Sequence, residues 1–241
     1  MDTLNKHNKI ALMYSGGKDS LACLYMLQEW WDKITVIWVN TGASFPEMTA
    51  HMEKVKSLVP HFFEMKSNQP SFIEFVGYPT DVVPVDYTSF GQALSGKKDI
   101  MLSSYIDCCA ANIWRPGMDA VHAMGATLVV RGQKLADAKR SPVKSGDVID
   151  GIEYFFPIEA WTDEQVMTYL MDKELAQDIR FKLKASSLDC WNCTAFSGEH
   201  HDKLEYMKQN HPELHKQYMR KLHEISAVVH SEMQHLEELV S

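Results

Sequence analysis

Between Met13 and Leu21 the chain reads Tyr14-Ser15-Gly16-Gly17-Lys18-Asp19-Ser20, with an apolar run on either side. A Gly-Gly turn at a strand-to-helix junction leaves backbone N–H groups facing one concavity, and the helix N-terminus behind it attracts phosphate. Ser15 and Ser20 add small hydroxyl donors and Lys18 adds a positive charge. Asp19 brings a carboxylate that either holds Mg²⁺ or fixes the loop. The bland alternative is an ordinary tight turn. The loop does not follow the Walker pattern G-x-x-x-x-G-K-[ST].

A second set of reactive side chains is made of sulfur. Five cysteines stand at 23, 108, 109, 190 and 193. An odd count with one adjacent pair and one C-x-x-C is a poor disulfide framework, and suits a metal or cluster site with one bystander. Four thiolates ligate either a cubane cluster or a single Zn²⁺. Cys23, on an apolar helix, reads as core packing. His211 and His215 stand four apart, as a ligand pair would, but outside any H-E-x-x-H frame; a polar helix face is the better reading.

The elements that must position these groups follow from periodicity. "NKIALMY", "ITVIWVN", "HFFEMKS" and "ATLVVRG" read as short buried strands, alternating with the helical stretches "SLACLYMLQEWW" and "EMTAHMEKVKSLV". That alternation gives an α/β fold, a parallel twisted sheet with helices on both faces, whose ligands lie at the carboxyl ends of the strands. Residues 77 to 105 are less regular. From about residue 160 the pattern turns helical, opening on a capping box of Thr162 and Gln165 and running to a long tail broken near Pro212. The expected division is a nucleotide-binding domain over 1–160 and a helical C-terminal region over 161–241.

The 241 residues carry a formal net charge of −8, with a pI near 5.7. This argues against autonomous nucleic-acid binding and leaves room for nucleic acid presented by a partner. Local basic patches stand at Lys97-Lys98, Lys134 to Lys144 and Arg180 to Lys184. No apolar run is long enough for a membrane span, and the N-terminus is too polar for a signal peptide, so a cytoplasmic protein is expected.

Four segments, in order, resemble the PP-loop ATP pyrophosphatases (adenine nucleotide alpha hydrolases), and within them the phosphoadenosine phosphosulfate reductase-like family. They are "SGGKDS", "VNTGASFPEM", "RGQKLADAKRSP" and "FPIEAWTDEQVMTYL". The resemblance implies that Ser15, Gly16, Gly17, Lys18, Asp19 and Ser20 bind the phosphates of ATP with Mg²⁺, and that Asn40, Thr41 and Gly42 flank the adenosine. Arg131, Lys134, Lys139 and Arg140 would gather around phosphate or acceptor. Ser15, Lys18 and Asp19, with Arg131, Lys134 and Arg140, would carry the chemistry. Cys108, Cys109, Cys190 and Cys193 resemble the [4Fe–4S] ligands of assimilatory adenylylsulfate reductases, with Zn²⁺ as the alternative.

Two departures separate the sequence from those reductases. Their PP-loop is degraded, whereas SGGKDS is whole. Their nucleophilic cysteine lies in E-C-G-L-H, whereas no cysteine follows Cys193. The combination resembles the ATP pyrophosphatase of DNA phosphorothioation systems (Dnd and Ssp types), which works with a cysteine desulfurase or other sulfur donor. The expected activity is release of pyrophosphate from ATP to activate an acceptor for sulfur transfer; self-association is compatible with it. The alternatives are an iron–sulfur adenylylsulfate or phosphoadenylylsulfate reductase, and a non-catalytic ATP- or redox-sensing subunit.

Overall fold

The computed structural model describes residues 2–96, 98–137, 140–176, 188–196, 198 and 201–240. In chain order the elements are α1 (Asp2–Asn5), β1 (Ile10–Met13), α2 (Lys18–Met26), β2 (Ile34–Asn40), α3 (Pro46–Leu58), β3 (Phe62–Lys66) and α4 (Gln69–Val76). Next come β4 (Tyr78–Thr80), α5 (Ser89–Ser95), β5 (Leu102–Ser104), α6 (Tyr105–Cys109) and α7 (Arg115–Ala123). They are followed by β6 (Leu128–Val130), β7 (Val148–Ile149), β8 (Ile152–Phe155), α8 (Asp163–Asp172), α9 (His201–Asn210) and α10 (Pro212–Val240). The Lys97-Lys98 pair is described only at Lys98; Lys139 and the Arg180 to Lys184 patch lie outside the described residues.

The chain forms two compact units that interleave along the sequence. The first takes residues 2–40, 44–67 and 114–176; the second takes 41–43, 68–113 and 188–240. The sequence-based division near residue 160 follows composition, while the compact units follow contacts.

The first unit holds a six-stranded sheet of order β3-β2-β1-β6-β8-β7. All neighbours are parallel except β7, which runs antiparallel to β8. The fold is therefore the expected α/β class with a mostly parallel sheet flanked by helices. β1 and β6 are unbroken apolar runs because parallel central strands are covered on both faces; Ile10, Ala11, Leu12, Leu128, Val129 and Val130 are all buried. Ala120 and Val121 of α7 join Ala11, Val129, Ile152 and Tyr154 in one core cluster. The antiparallel edge arises from Asp150-Gly151, both at positive φ, a two-residue hairpin turn between Ile149 and Ile152.

The long helix expected after the loop is shorter than its pattern. α2 ends at Met26, and Gln28–Lys33 forms a 3₁₀ turn. The Trp31 indole donates to the Leu24 carbonyl at 2.9 Å, taking an acceptor that a continuing helix would need. At its other end α2 begins at Lys18, so loop and helix share residues.

In the second unit β4 and β5 pair in parallel as a small sheet within the irregular 77–105 stretch. Ile225 and Val228 of α10 pack with Leu102 and Tyr87 beside it. The helical tail breaks where expected, with Pro212 opening the 29-residue α10. No helix of the described residues is long and apolar enough to cross a membrane.

Connectivity decides where the first unit binds a ligand. From β1 the chain steps through β2 to β3 on one side, then returns to β6 on the other. The crevice of such a sheet opens at that switch, between the carboxyl ends of β1 and β6. Gly132, just past β6, passes so close to α2 that an added Cβ would stand 2.7 Å from the Asp19 carbonyl carbon and 2.8 Å from the Ser20 nitrogen. Both are backbone atoms that cannot swing aside. Gly132→Ala should therefore cost about 1–3 kcal/mol in a urea titration, with the strain falling on the loop after β1 itself.

Candidate functional site

Ser15 and Gly16 leave β1, Gly16 at φ +77°, a conformation that glycine adopts without steric cost. Gly17 then serves as the N-cap of α2, so the first amides of the helix face the crevice. The Ser20 hydroxyl donates to the Gly17 carbonyl at 3.0 Å, and the Gly17 N–H donates to Ser15 Oγ at 3.4 Å. The two serines thus brace the turn from within.

Lys134, beyond β6, is only 1% exposed at its side chain. Its ammonium donates to Asp19 Oδ1 at 2.7 Å and pairs with Asp137 at 3.0 Å and Asp163 at 3.2 Å. Lys18 pairs with Asp19 Oδ2 at 3.1 Å and with Asp163 at 3.1 Å. Two ammoniums and three carboxylates therefore tie the loop after β1, the loop after β6 and the first turn of α8. Both oxygens of Asp19 are engaged, so of its two expected roles the structure displays the loop-fixing one. Burial alone would lower the Lys134 pKa, but its hydrogen bonds to Asp19 and Asp137 hold it above the ordinary lysine value. Burial would raise Asp163, yet Lys18 and Lys134 hold it below the usual carboxylate value.

A cleft of about 300 Å³ opens here, lined by Ser15, Gly17, Asp19, Ser20, Arg131 and Asp137 among others. That is the small end of ligand pockets, ~300–1,000 Å³, and suits a phosphate chain. The Arg131 guanidinium lies 5.7 Å from the centre of the Tyr154 ring and donates to the Met118 sulfur at 3.7 Å. These soft neighbours leave its charge available to an anion in the cleft. Arg140 is exposed and bonds the Leu135 carbonyl on its own loop, away from the cleft lining. Asn40 closes β2 with its amide on Glu64 at 2.7 Å. Thr41 and Gly42 belong to the second unit. Asp137, Asp163 and Gly132 escaped the sequence reading; Asp163 at the first position of α8, beside the capping-box Thr162, was the available signal.

The second unit brings the four expected thiols into mutual electrostatic reach: Cys193 acts on Cys108, Cys109 and Cys190. The Gln69 amide donates to the Cys108 sulfur at 3.9 Å and Asn112 donates at 3.8 Å. The Thr41 hydroxyl stands 3.4 Å from the Cys190 sulfur. Burial, aided by neighbouring sulfurs, pushes Cys108 up to about 11 and Cys109 up to about 12 and raises Cys190, while Cys193 is raised by burial. A bound metal cation would reverse that penalty by stabilising thiolate.

Among the described residues no three His, Cys, Asp or Glu side chains gather tightly enough for one metal ion. A cubane asks for less convergence than a tetrahedral ion, because each thiolate binds a different iron. Two buried amide oxygens lack hydrogen-bond partners here: Gln69 Oε1, whose N–H is already on the Cys108 sulfur, and Asn192 Oδ1, inside the C-x-x-C. In kind, though without tight convergence, the four thiols are the donor set that a four-thiolate cluster takes. Cys23 is fully buried, its thiol raised by burial and by Asp19, in keeping with core packing.

Comparison with known proteins shows what the chain is similar to. Residues 9–80 match the family described as the phosphoadenosine phosphosulfate reductase domain. The fold matches the crystal structure of phosphoadenylyl-sulfate (PAPS) reductase from Candida auris in its phosphate complex. There the TM-score is 0.53 and identity 18%, over 77% of this chain and 83% of that one. In sequence the chain is similar to the phosphoadenosine 5'-phosphosulfate reductase of Gloeobacter violaceus. The two are 25% identical over 191 residues, 78% of this chain and 73% of the relative. It is thus a protein like the phosphoadenosine phosphosulfate reductases, with their fold.

Removing the Lys134 ammonium would leave three carboxylates facing one another. Lys134→Met should cost about 2 kcal/mol, less than the ~3–5 kcal/mol of a fully buried pair because these carboxylates reach water. The Lys134 contribution, from a raised folded-state pKa, is fully present below the unfolded value of 10.5 and is lost as pH rises through the folded one. The Asp163 contribution, from a lowered pKa, is present above the unfolded value of 3.8 and is lost as pH falls through the folded one. The deficit of the variant should accordingly be flat from about pH 5 to 9 and shrink below about pH 4 in denaturant titrations.

Proposed function

We propose that the chain is an ATP pyrophosphatase that activates an acceptor for sulfur transfer. The observation that carries this reading is the intact SGGKDS loop, with Asp19 clamped between Lys18 and the buried Lys134. An uninterrupted ring of loop amides, serine hydroxyls and ammonium suits the β- and γ-phosphates of a nucleoside triphosphate. An acceptor oxygen attacks the α-phosphorus, the bond to the bridging oxygen breaks, and pyrophosphate leaves. The preorganised amides at Gly17 and Lys18, with Arg131 across the cleft, stabilise the charge that grows on that leaving group. Mg²⁺ arriving with the nucleotide would supply further neutralisation.

Cys108, Cys109, Cys190 and Cys193 would hold an iron–sulfur cluster, which supplies sulfur or electron chemistry when bound. A cysteine desulfurase is the partner this chemistry calls for, and a nucleic-acid backbone held by other proteins, as in DNA phosphorothioation, is the acceptor that suits an acidic chain.

A second reading, reduction of adenylylsulfate or its 3'-phosphorylated form, is favoured by the names of the relatives. It needs a thiolate to attack sulfur. If the four clustered cysteines bind iron, Cys23 is the thiol left in these residues, and it is fully buried.

The deciding assay is pyrophosphate release from Mg-ATP by anaerobically purified protein supplied with DNA and a sulfur donor, run beside sulfite release from both sulfonucleotides. Pyrophosphate release that falls about 100-fold in Lys18→Ala, in line with loss of one transition-state donor, supports the proposal. Sulfite release without pyrophosphate would replace it with the reductase reading.

A further inference from the structure

Lys203, in the first turn of α9, is 2% exposed. Its ammonium donates to the Cys190 carbonyl at 3.0 Å and the Cys193 carbonyl at 3.3 Å. It also lies 5.1 Å from the centre of the Tyr218 ring, whose hydroxyl donates to the same Cys193 carbonyl at 2.8 Å. Burial works against the charged form of this amine and lowers its pKa, and its direct contacts carry only partial negative charge. Carbonyl dipoles and ring faces do not balance a buried ammonium; a nearby anion does.

The groups able to supply that anion are the Cys193 and Cys190 sulfurs and, next, the Asp189 carboxylate. As buried thiols the sulfurs are neutral. With metal bound they become thiolates, and four thiolates outweigh the charge of the cubane they hold. The C-x-x-C turn that presents two of the sulfurs is the one whose carbonyls Lys203 grips. The charge therefore sits behind the ligands, where it neutralises the centre without occupying a ligand position.

We infer that Lys203 is the buried counter-charge of a cluster held by Cys108, Cys109, Cys190 and Cys193, and that it sets the reduction potential of that cluster. The inference rests on the cluster reading above. It gives Lys203 a positioning and electrostatic role through the C-x-x-C turn. One-electron reduction makes the centre more negative, so a fixed ammonium beside it favours the reduced form and raises the potential.

The test compares wild type, Lys203→Met and Lys203→Arg, all purified anaerobically. Iron and sulfide are counted, the midpoint potential is followed in a dithionite titration, and melting is recorded before and after the cluster is stripped. Lys203→Met should show a more negative potential and lose iron to a chelator about tenfold faster, as substitutions behind metal ligands do. Once stripped, it should melt above stripped wild type, because the uncompensated charge is gone. Lys203→Arg, which keeps the charge, should keep a potential near that of wild type even if Lys203→Met proves unable to hold a cluster. An iron-loaded wild type whose potential matches that of Lys203→Met overturns the inference. So does an equal shift in Lys203→Arg, or a stripped Lys203→Met that melts lower, since a plain structural clamp predicts loss in both states. Wild type without iron would instead overturn the cluster reading itself, and the inference with it.

Discussion

The first unit is organised around one ammonium. Lys134 lies out of water with Asp19, Asp137 and Asp163 around it, and these three carboxylates come from different parts of the sequence. A buried cation tolerates its position only while those carboxylates stay near it. The loop after β1, the loop after β6 and the start of α8 are thereby held in one arrangement. Gly132 makes that arrangement sterically feasible by letting the chain run against the backbone of α2. The amides at the start of α2 then inherit their direction from these charge pairs.

The second unit follows the same physics with sulfur. Its four clustered thiols are driven toward the neutral form by burial, and Cys108, Cys109 and Cys190 also by neighbouring sulfurs, while the Lys203 amine touches carbonyl dipoles and a ring face, with Asp189 the nearby carboxylate. Each of these is unfavourable alone, and on the cluster proposal deprotonated sulfur and the ammonium would balance once a metal cation joined them. Both units thus commit a buried lysine to an anionic site. In the first the anions are carboxylates already present; in the second, on the cluster proposal, they would form on metal binding.

Likeness to phosphoadenosine phosphosulfate reductases covers the fold and most of the chain, at 25% identity to one relative. Fold and chemistry separate at this distance, because a fold hosts many activities and the site decides among them. The features that bear on the reaction are local: a whole phosphate loop, an arginine with soft neighbours, and a fifth cysteine sealed in the core. They are the features on which the proposal of a triphosphate, over an already activated sulfonucleotide, rests.

What the sequence determined by itself was whatever repeats or sits close along the chain. Apolar runs marked β1, β2, β3 and β6, the Thr162–Gln165 box marked the start of α8, and the Gly-Gly loop and the cysteine spacing marked the two groups of reactive residues. Strands and caps are written in neighbouring residues, so a linear reading reaches them. Tertiary structure decided the rest. It assigned Lys134 to carboxylates from distant segments, turned Asp19 toward holding the loop, left Arg140 on its own loop, and set Lys203 behind the C-x-x-C turn. It also divided the chain into interleaved units rather than along its length. The physical reason is that burial and charge pairing are properties of where segments meet. A lysine reads alike in sequence whether it ends in water or beneath a cluster of thiols.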